Sequence, residues 1–229
     1  MQVILRTMLV VAFFSGICLA GENPELKTEK EKISYSIGYQ VGGDFKRQGV
    51  ELDTDLLVKG IRDAAGGAEP RVSPQEMRKT LVDLKKKVEA DERKRRNEIA
   101  EKNRAEGEAF LAANGKKEGV VTLPSGLQYK VITTGTGPKP TLEQTVVCQY
   151  RGTLIDGKEF DSSYKRGQPA TFPVNKVIKG WTEVLQLMPV GSKWQVFIPP
   201  DLAYGTRGAG ADIGPNATLI FEIELVAIK

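Results

Sequence analysis

Histidine is missing from all 229 residues. That absence removes Ser-His and Cys-His nucleophile pairs, His-ligated zinc and imidazole acid/base catalysis together. Cysteine is almost as scarce, with Cys18 and Cys148 the two in the chain. Two thiols build neither a disulfide framework nor a Cys-cluster metal site. Charge of one sign is lacking too: 33 Lys and Arg face 29 Asp and Glu, for a formal net charge of +4. No segment is strongly one-signed, which argues against a nucleic-acid partner. Beyond the N terminus there is no apolar run long enough to cross a bilayer. What remains is globular composition, 40% hydrophobic and 27% charged, over a length that suits one or two domains.

The first twenty residues have the features of an export signal. Arg6 and the amino terminus give a positive start, and Met8 to Ala20 is uncharged and mostly apolar. Cys18 and Ala20 are small residues at the places a signal peptidase inspects, so the cut is expected after Ala20. The apolar run is short for a membrane span. A retained anchor is the alternative, and a lipoprotein would need a small residue where Ile17 stands. Export would place the protein in the periplasm or at the outer membrane surface, with Cys148 as its single thiol.

Capping chemistry marks three helices after that. Thr28 and Glu31 form a capping box ahead of the stripe Ile33, Ile37, Val41, Phe45. Asp53 caps a second helix with Leu57, Ile61 and Ala64 on one face, stopped by Gly66-Gly67. Ser73 caps a third, with Pro74 in its first turn and Glu76 completing a box, running to Asn114-Gly115. From Lys85 to Glu108 this third helix is almost wholly charged. Its acid-first pairs four apart (Glu89 with Arg93, Asp91 with Arg95, Glu92 with Arg96, Glu98 with Lys102) predict a solvent-bridging rod between domains. The cluster Arg93 to Arg96 has a sharper alternative, a nucleic-acid or lipid patch, but acids interleave it. The short apolar stripes of the first helices cannot close a core alone, which predicts a homodimer built by this half. Gly38, Gly42 and Gly43 would allow two helices to approach closely; the plain alternative is that they are merely tolerated.

After Gly119 the period changes to strands. Leu127, Tyr129 and Val131 alternate, Thr145 to Leu154 is a second strand, and Asp156-Gly157 is a hairpin turn. Ala170 to Val174 is short and extended, and Val177, Ile178, Trp181, Val184, Leu185 and Met188 fit one compact helix. Ser192 to Ile198 and Thr218 to Ile228 are strands flanking a glycine-rich loop, Asp201 to Ala217. Many strands and one helix predict an α+β fold, an antiparallel sheet wrapped over a short helix. An all-α dimerisation arm with a long connecting helix precedes it. The expected boundaries are 1–20 for the signal, 21–72 for the dimerisation region, 73–118 for the connecting helix and 119–229 for the sheet domain.

The run from Val146 to Leu154, then Asp156-Gly157-Lys158-Glu159-Phe160-Asp161-Ser162-Ser163, resembles FKBP-type peptidyl-prolyl isomerases. So do Val177-Ile178-Lys179-Gly180-Trp181, Pro200-Asp201-Leu202-Ala203-Tyr204-Gly205 and Ala217 to Glu222, in the same order. The whole layout looks like the bacterial macrophage infectivity potentiator-like branch of that family. The resemblance implies an apolar cleft that binds X-Pro segments of polypeptide clients. Trp181 would floor it beneath the proline ring, Tyr150, Phe160 and Phe221 would wall it, and Val177 and Ile178 would form the rim. The Ile178 N–H and the Tyr204 hydroxyl would hold substrate carbonyls. Asp161 would supply the local field, steadied by Tyr150 and Arg166, and Ile213 would close one side. Macrolide inhibitors of the family are implied as ligands, no cofactor or metal is, and Cys148 is expected to be inert packing. Ala170, Ala209 and Asp212 depart from the better-known eukaryotic pattern at the rim, where they bear on substrate preference and macrolide affinity. A different class of function also fits this sequence: a non-catalytic holdase or surface interaction module whose cleft merely binds.

Overall fold

The computed structural model describes residues 25–229, so the expected signal peptide lies outside the described residues. The chain divides into two compact units, one ending at Arg71 and one spanning Val72–Lys229.

The first unit holds two helices, α1 (Glu29–Gln48) and α2 (Thr54–Ala65). Thr28 accepts from the Glu31 N–H while the Glu31 carboxylate reaches back to the Thr28 N–H, so the capping box is formed. Asp53 caps α2 by accepting from the N–H groups of Asp55 and Leu56. Neither helix has a single buried residue. Ile33 and Ile37 of the expected stripe are 53% and 59% exposed, so this unit has no core of its own.

The second unit opens with α3 (Pro74–Asn114), capped by Ser73 with Pro74 at its first position. The sheet strands follow: β1 (Val120–Thr122), β2 (Gln128–Thr133), β3 (Thr145–Leu154), β4 (Glu159–Ser162), β5 (Ala170–Pro173), β6 (Lys193–Ile198) and β7 (Leu219–Ile228), with α4 (Lys179–Leu185) between β5 and β6. All pairings are antiparallel in the order β1-β2-β6-β7-β3-β4. The first half of β3 pairs with β5 and its second half with β4. The edge therefore splits, and the gap opens over α4.

Side chains alternate along the long strands. Val146, Cys148 and Tyr150 of β3, Trp194, Val196 and Ile198 of β6, and Leu219, Phe221, Ile223 and Leu225 of β7 form one core with Trp181, Val184 and Leu185 of α4. Gly180 lets α4 sit close, since a Cβ there would lie 2.6 Å from the Ile198 side chain. This is the expected sheet over a short helix, although α4 is shorter than the apolar pattern suggested.

The rear of α3 differs from a solvent-bridging rod. From Arg96 onward one face docks on its own unit. Arg96 donates to the carbonyls of Thr206 and Arg207, Asn103 to that of Pro215, and Asn216 to that of Ala100. Phe110 packs on Phe197, and buried Asn114 bonds Gln128, which in turn donates to the Leu111 carbonyl. Phe197 lies on the opposite face of β6 from Val196 and Ile198, and this contact explains why it is buried while Lys193 and Gln195 on the same face are not. The stripe Arg96, Ala100, Asn103, Gly107, Phe110, Asn114 has helical spacing, but it reads as polar because it docks through amides, a guanidinium and a glycine. None of the four expected acid-first pairs is formed among the described residues. Lys79–Asp83, Lys85–Glu89, Lys102–Glu106 and Arg104 with Glu101 and Glu108 are paired instead. Arg96 is committed to loop carbonyls.

Candidate active site

The split edge of the sheet leaves a cavity of about 440 Å³ above α4. Tyr150, Phe160, Asp161, Phe172, Lys176, Val177, Ile178, Trp181, Tyr204 and Phe221 line it.

Its aromatic wall follows from strand geometry. Tyr150 lies on the inner face of β3 and Phe221 on that of β7. Between them Gly152 supplies no side chain, and a Cβ there would lie 2.7 Å from both Phe160 and Phe221. A bulge at the β3–β4 pairing sets two residues of β4 against one step of β3, around Phe160. That bulge turns neighbouring Phe160 and Asp161 toward the same cavity, which simple alternation would forbid. Trp181 is 4% exposed and forms the base. Tyr150, Phe172 and Phe221 meet its indole edge-on, with centroids 5.2, 5.6 and 5.3 Å away. Such edge-to-face pairs fix ring positions beyond what apolar burial does. The indole N–H is buried and has no partner among the described residues, so it is not presented to a ligand.

The carboxylate that lines this largely apolar cavity, Asp161, is tightly held. The Tyr150 hydroxyl donates to Asp161, Arg166 donates to the other carboxylate oxygen, and Arg166 also donates to the Tyr150 oxygen at 2.6 Å. The guanidinium lies over the Tyr150 ring at 5.4 Å. Burial pushes the Asp161 carboxyl upward, but the hydroxyl and guanidinium outweigh it and hold the group below the usual carboxylate range. Burial pushes the Tyr150 hydroxyl up, and its bond to Asp161 adds to this.

Two donors on lining residues are unspent. Ile178 is the cap residue ahead of α4, and its N–H has no acceptor among the described residues. The Tyr204 hydroxyl also has no protein partner among the described residues, and the residue is 39% exposed. Burial, then the nearby Asp161 charge, pushes its hydroxyl upward, so it stays protonated and able to donate.

Eight of the ten sequence-expected site residues line this one cavity. Arg166 acts from behind Asp161 and Tyr150 rather than lining it. Ile213 is not among the residues named above as lining the cavity: it is buried with the core and bridges to Ala209 within the glycine-rich loop. Phe172 and Lys176 are lining residues that sequence reasoning missed. Phe172 could have been found from period 2 on β5, since it shares a face with Ala170, whose small side chain leaves it room. Asp212 forms an ion pair with Lys158 at 2.8 Å, tying the β3–β4 turn to the loop. Burial pushes the Cys148 thiol up to about 12, which removes it as a nucleophile. No group of three or more metal-ligating side chains is assembled among the described residues, and no described helix is long and apolar enough to cross a membrane.

Comparison with known proteins bears on both units. The family described as FKBP-type peptidyl-prolyl cis-trans isomerase matches residues 137–226. The family described as the domain amino terminal to FKBP-type peptidyl-prolyl isomerase matches residues 30–131. The chain is 49% identical to the outer membrane protein MIP of Legionella longbeachae, covering 98% of this chain and 99% of that one. It is 43% identical to the peptidyl-prolyl cis-trans isomerase Mip of Coxiella burnetii, over 100% and 99% respectively. Among solved structures, FkpA from Escherichia coli matches with a TM-score of 0.69 at 38% identity, over 89% of this chain and 98% of that one.

Proposed function

The chain belongs to the FKBP-type peptidyl-prolyl cis-trans isomerase family, in its macrophage infectivity potentiator-like branch, and from that premise we propose how its cavity turns an X-Pro bond. Rotation about this bond faces a barrier of about 18–20 kcal/mol and breaks no covalent bond. Bringing it from minutes to about 10 ms takes roughly four decades, or about 5.5 kcal/mol. The twisted amide has lost resonance and charge separation, so a dry apolar wall suits it better than water does.

The proline ring rests on Trp181 between Tyr150, Phe160, Phe172 and Phe221. The Ile178 N–H and Tyr204 hydroxyl donate to carbonyls flanking the bond and hold the peptide while it turns. Asp161, fixed by Tyr150 and Arg166, presents a preorganised negative field in a low-dielectric site, where such groups act most strongly. The observation that carries this reading is the coincidence in one aromatic cavity of a tethered carboxylate and two unspent donors.

The clients are proline-containing segments of exported, partly unfolded proteins, met in the periplasm or at the outer membrane surface after a signal at 1–20 is removed. Residues 21–72 form the dimerisation region, 73–118 the connecting helix and 119–229 the isomerase domain. The absence of any buried residue on α1 and α2 supports a homodimer, since a second copy would cover apolar stripes that this unit cannot bury within itself. Macrolide inhibitors of the family would enter the same cavity.

The test is relaxation of a short X-Pro peptide from its cis-enriched state. Purified protein is expected to speed it, and Asp161→Ala and Tyr204→Phe to slow it at least tenfold and a few-fold respectively. Equal rates with and without protein would leave the cavity as a binding site only. Deleting residues 21–72 is expected to give monomers by light scattering with peptide activity intact; a truncated chain that stays dimeric would refute that assignment.

A further inference from the structure

The loop Asp201–Ala217 carries Tyr204 to the cavity, yet little on the cavity side holds it. Its regular structure amounts to two single 3₁₀ turns and one bridge between Ala209 and Ile213. Gly205, Gly208 and Gly210 all have positive φ, and the Tyr204 hydroxyl has no hydrogen-bond partner among the described residues. Where Tyr204 points is therefore set by the backbone around it.

That backbone is gripped from behind by α3. The Arg96 guanidinium donates to the Arg207 carbonyl at 2.9 Å and to the Thr206 carbonyl at 3.3 Å, three and two residues past Tyr204 respectively. Asn103 donates to the Pro215 carbonyl at 2.8 Å. Asn216, in the left-handed region at φ 55, links both sides: its backbone N–H donates to the Gly205 carbonyl, next to Tyr204, and its side chain to the Ala100 carbonyl of α3. Two glycines permit this closeness. A Cβ at Gly214 would lie 3.0 Å from the Asn103 amide, and one at Gly107 would lie 2.4 Å from the Thr218 hydroxyl.

We propose that Arg96 and Asn103 are positioning residues for the isomerase reaction, clamping the glycine-rich loop so that Tyr204 is presented to the substrate carbonyl. The rear half of α3 is then part of the catalytic apparatus as well as a connection. This rests on the role given to Tyr204 in the functional proposal above.

The test uses the full chain carrying Arg96→Met with Asn103→Ala, in wild-type and Tyr204→Phe backgrounds. In the wild-type background kcat/KM for an X-Pro peptide is expected to fall about threefold to tenfold, the size of one ordinary hydrogen bond lost. In the Tyr204→Phe background the same pair is expected to cost less than about twofold, because coupled residues are not additive. Equal fold-losses in both backgrounds, or no loss in the first, would overturn the proposal. Arg96→Lys, which still donates to carbonyls, is expected to restore most of the loss when it replaces Arg96→Met. Amide hydrogen exchange judges the clamp without reference to catalysis. Residues 204–216 are expected to exchange faster in the double variant, and unchanged exchange would overturn the clamp. Should wild type not speed the peptide at all, the functional reading falls, and the exchange experiment still decides whether the clamp exists.

Discussion

Gly107→Ala is the sharpest probe of how α3 sits on its unit. In an isolated helix the change would stabilise by about 1 kcal/mol, since alanine costs less backbone entropy than glycine. Here the new methyl would meet the Thr218 hydroxyl oxygen at 2.4 Å and the Thr218 Cβ at 3.3 Å. An ordinary carbon–oxygen contact is about 3.3 Å or more, so something must move by about 0.9 Å. Thr218 is buried just ahead of β7, so its hydroxyl cannot swing out to water and the helix has to lift; the Cβ contact alone would ask for only a few tenths of an ångström. Overpacking of this kind costs about 1–3 kcal/mol, leaving a net loss of about 1 kcal/mol after the propensity gain. Thr218→Ala removes the offending oxygen, which is also buried without a partner. In that background Gly107→Ala is expected to be neutral or stabilising. Both tryptophans, Trp181 and Trp194, lie in the second unit, so their fluorescence in urea follows that unit alone. A loss of about 1 kcal/mol lowers the midpoint by about 0.5 M at a typical slope of about 2 kcal/mol per M. If Gly107→Ala has the same effect with and without the Thr218 change, the two residues do not touch and the docking of α3 described above is wrong.

Other expectations follow from the same geometry. Gly38 on α1 has nothing within 4 Å of an added Cβ among the described residues, so Gly38→Ala would gain about 1 kcal/mol in a lone helix; if α1 packs closely on a partner copy, analytical ultracentrifugation will instead show weaker dimerisation. Asp161 titrates below the ordinary carboxylate range, so its contribution to stability is present above about pH 4 and is lost as pH falls through the depressed folded value. Activity is expected to be level from neutral pH down to about 4, and Arg166→Met to shift the acid limb of the pH–rate profile upward, because burial then meets less opposition. An acid limb unmoved by that substitution would show that Arg166 does not hold the carboxylate. The Cys148 thiol, pushed up to about 12 by burial, is expected to resist a thiol reagent at pH 8 in the native protein and to react at once in denaturant; prompt native labelling would contradict its burial.

Much of this fold is legible in sequence because its punctuation is local. Thr28 with Glu31, Asp53 and Ser73 announce helix starts through side chains that bond neighbouring N–H groups, and Asp156-Gly157 announces a turn. The sheet strands follow from period 2 and β-branched content. The rear face of α3 is not legible this way, since Arg96, Asn103, Gly107 and Asn114 dock without the apolar stripe that a hydrophobic period detects. The partners of its charges are equally hidden, because exposed pairs are set by small differences between many rotamers. At the site, the resemblance carried the roles, while the bulge that aims Phe160 and Asp161 together depends on pairing between strands and has no local mark. Ile213, expected as a wall from its motif position, is drawn into the core where the loop folds back on itself through Ala209.

The seam between α3 and the glycine-rich loop is sewn with amide and guanidinium groups rather than grease. When such a seam parts, each released carbonyl and each released donor finds water, and little oily surface is uncovered. The join can therefore open and reseal many times in solution without turning sticky.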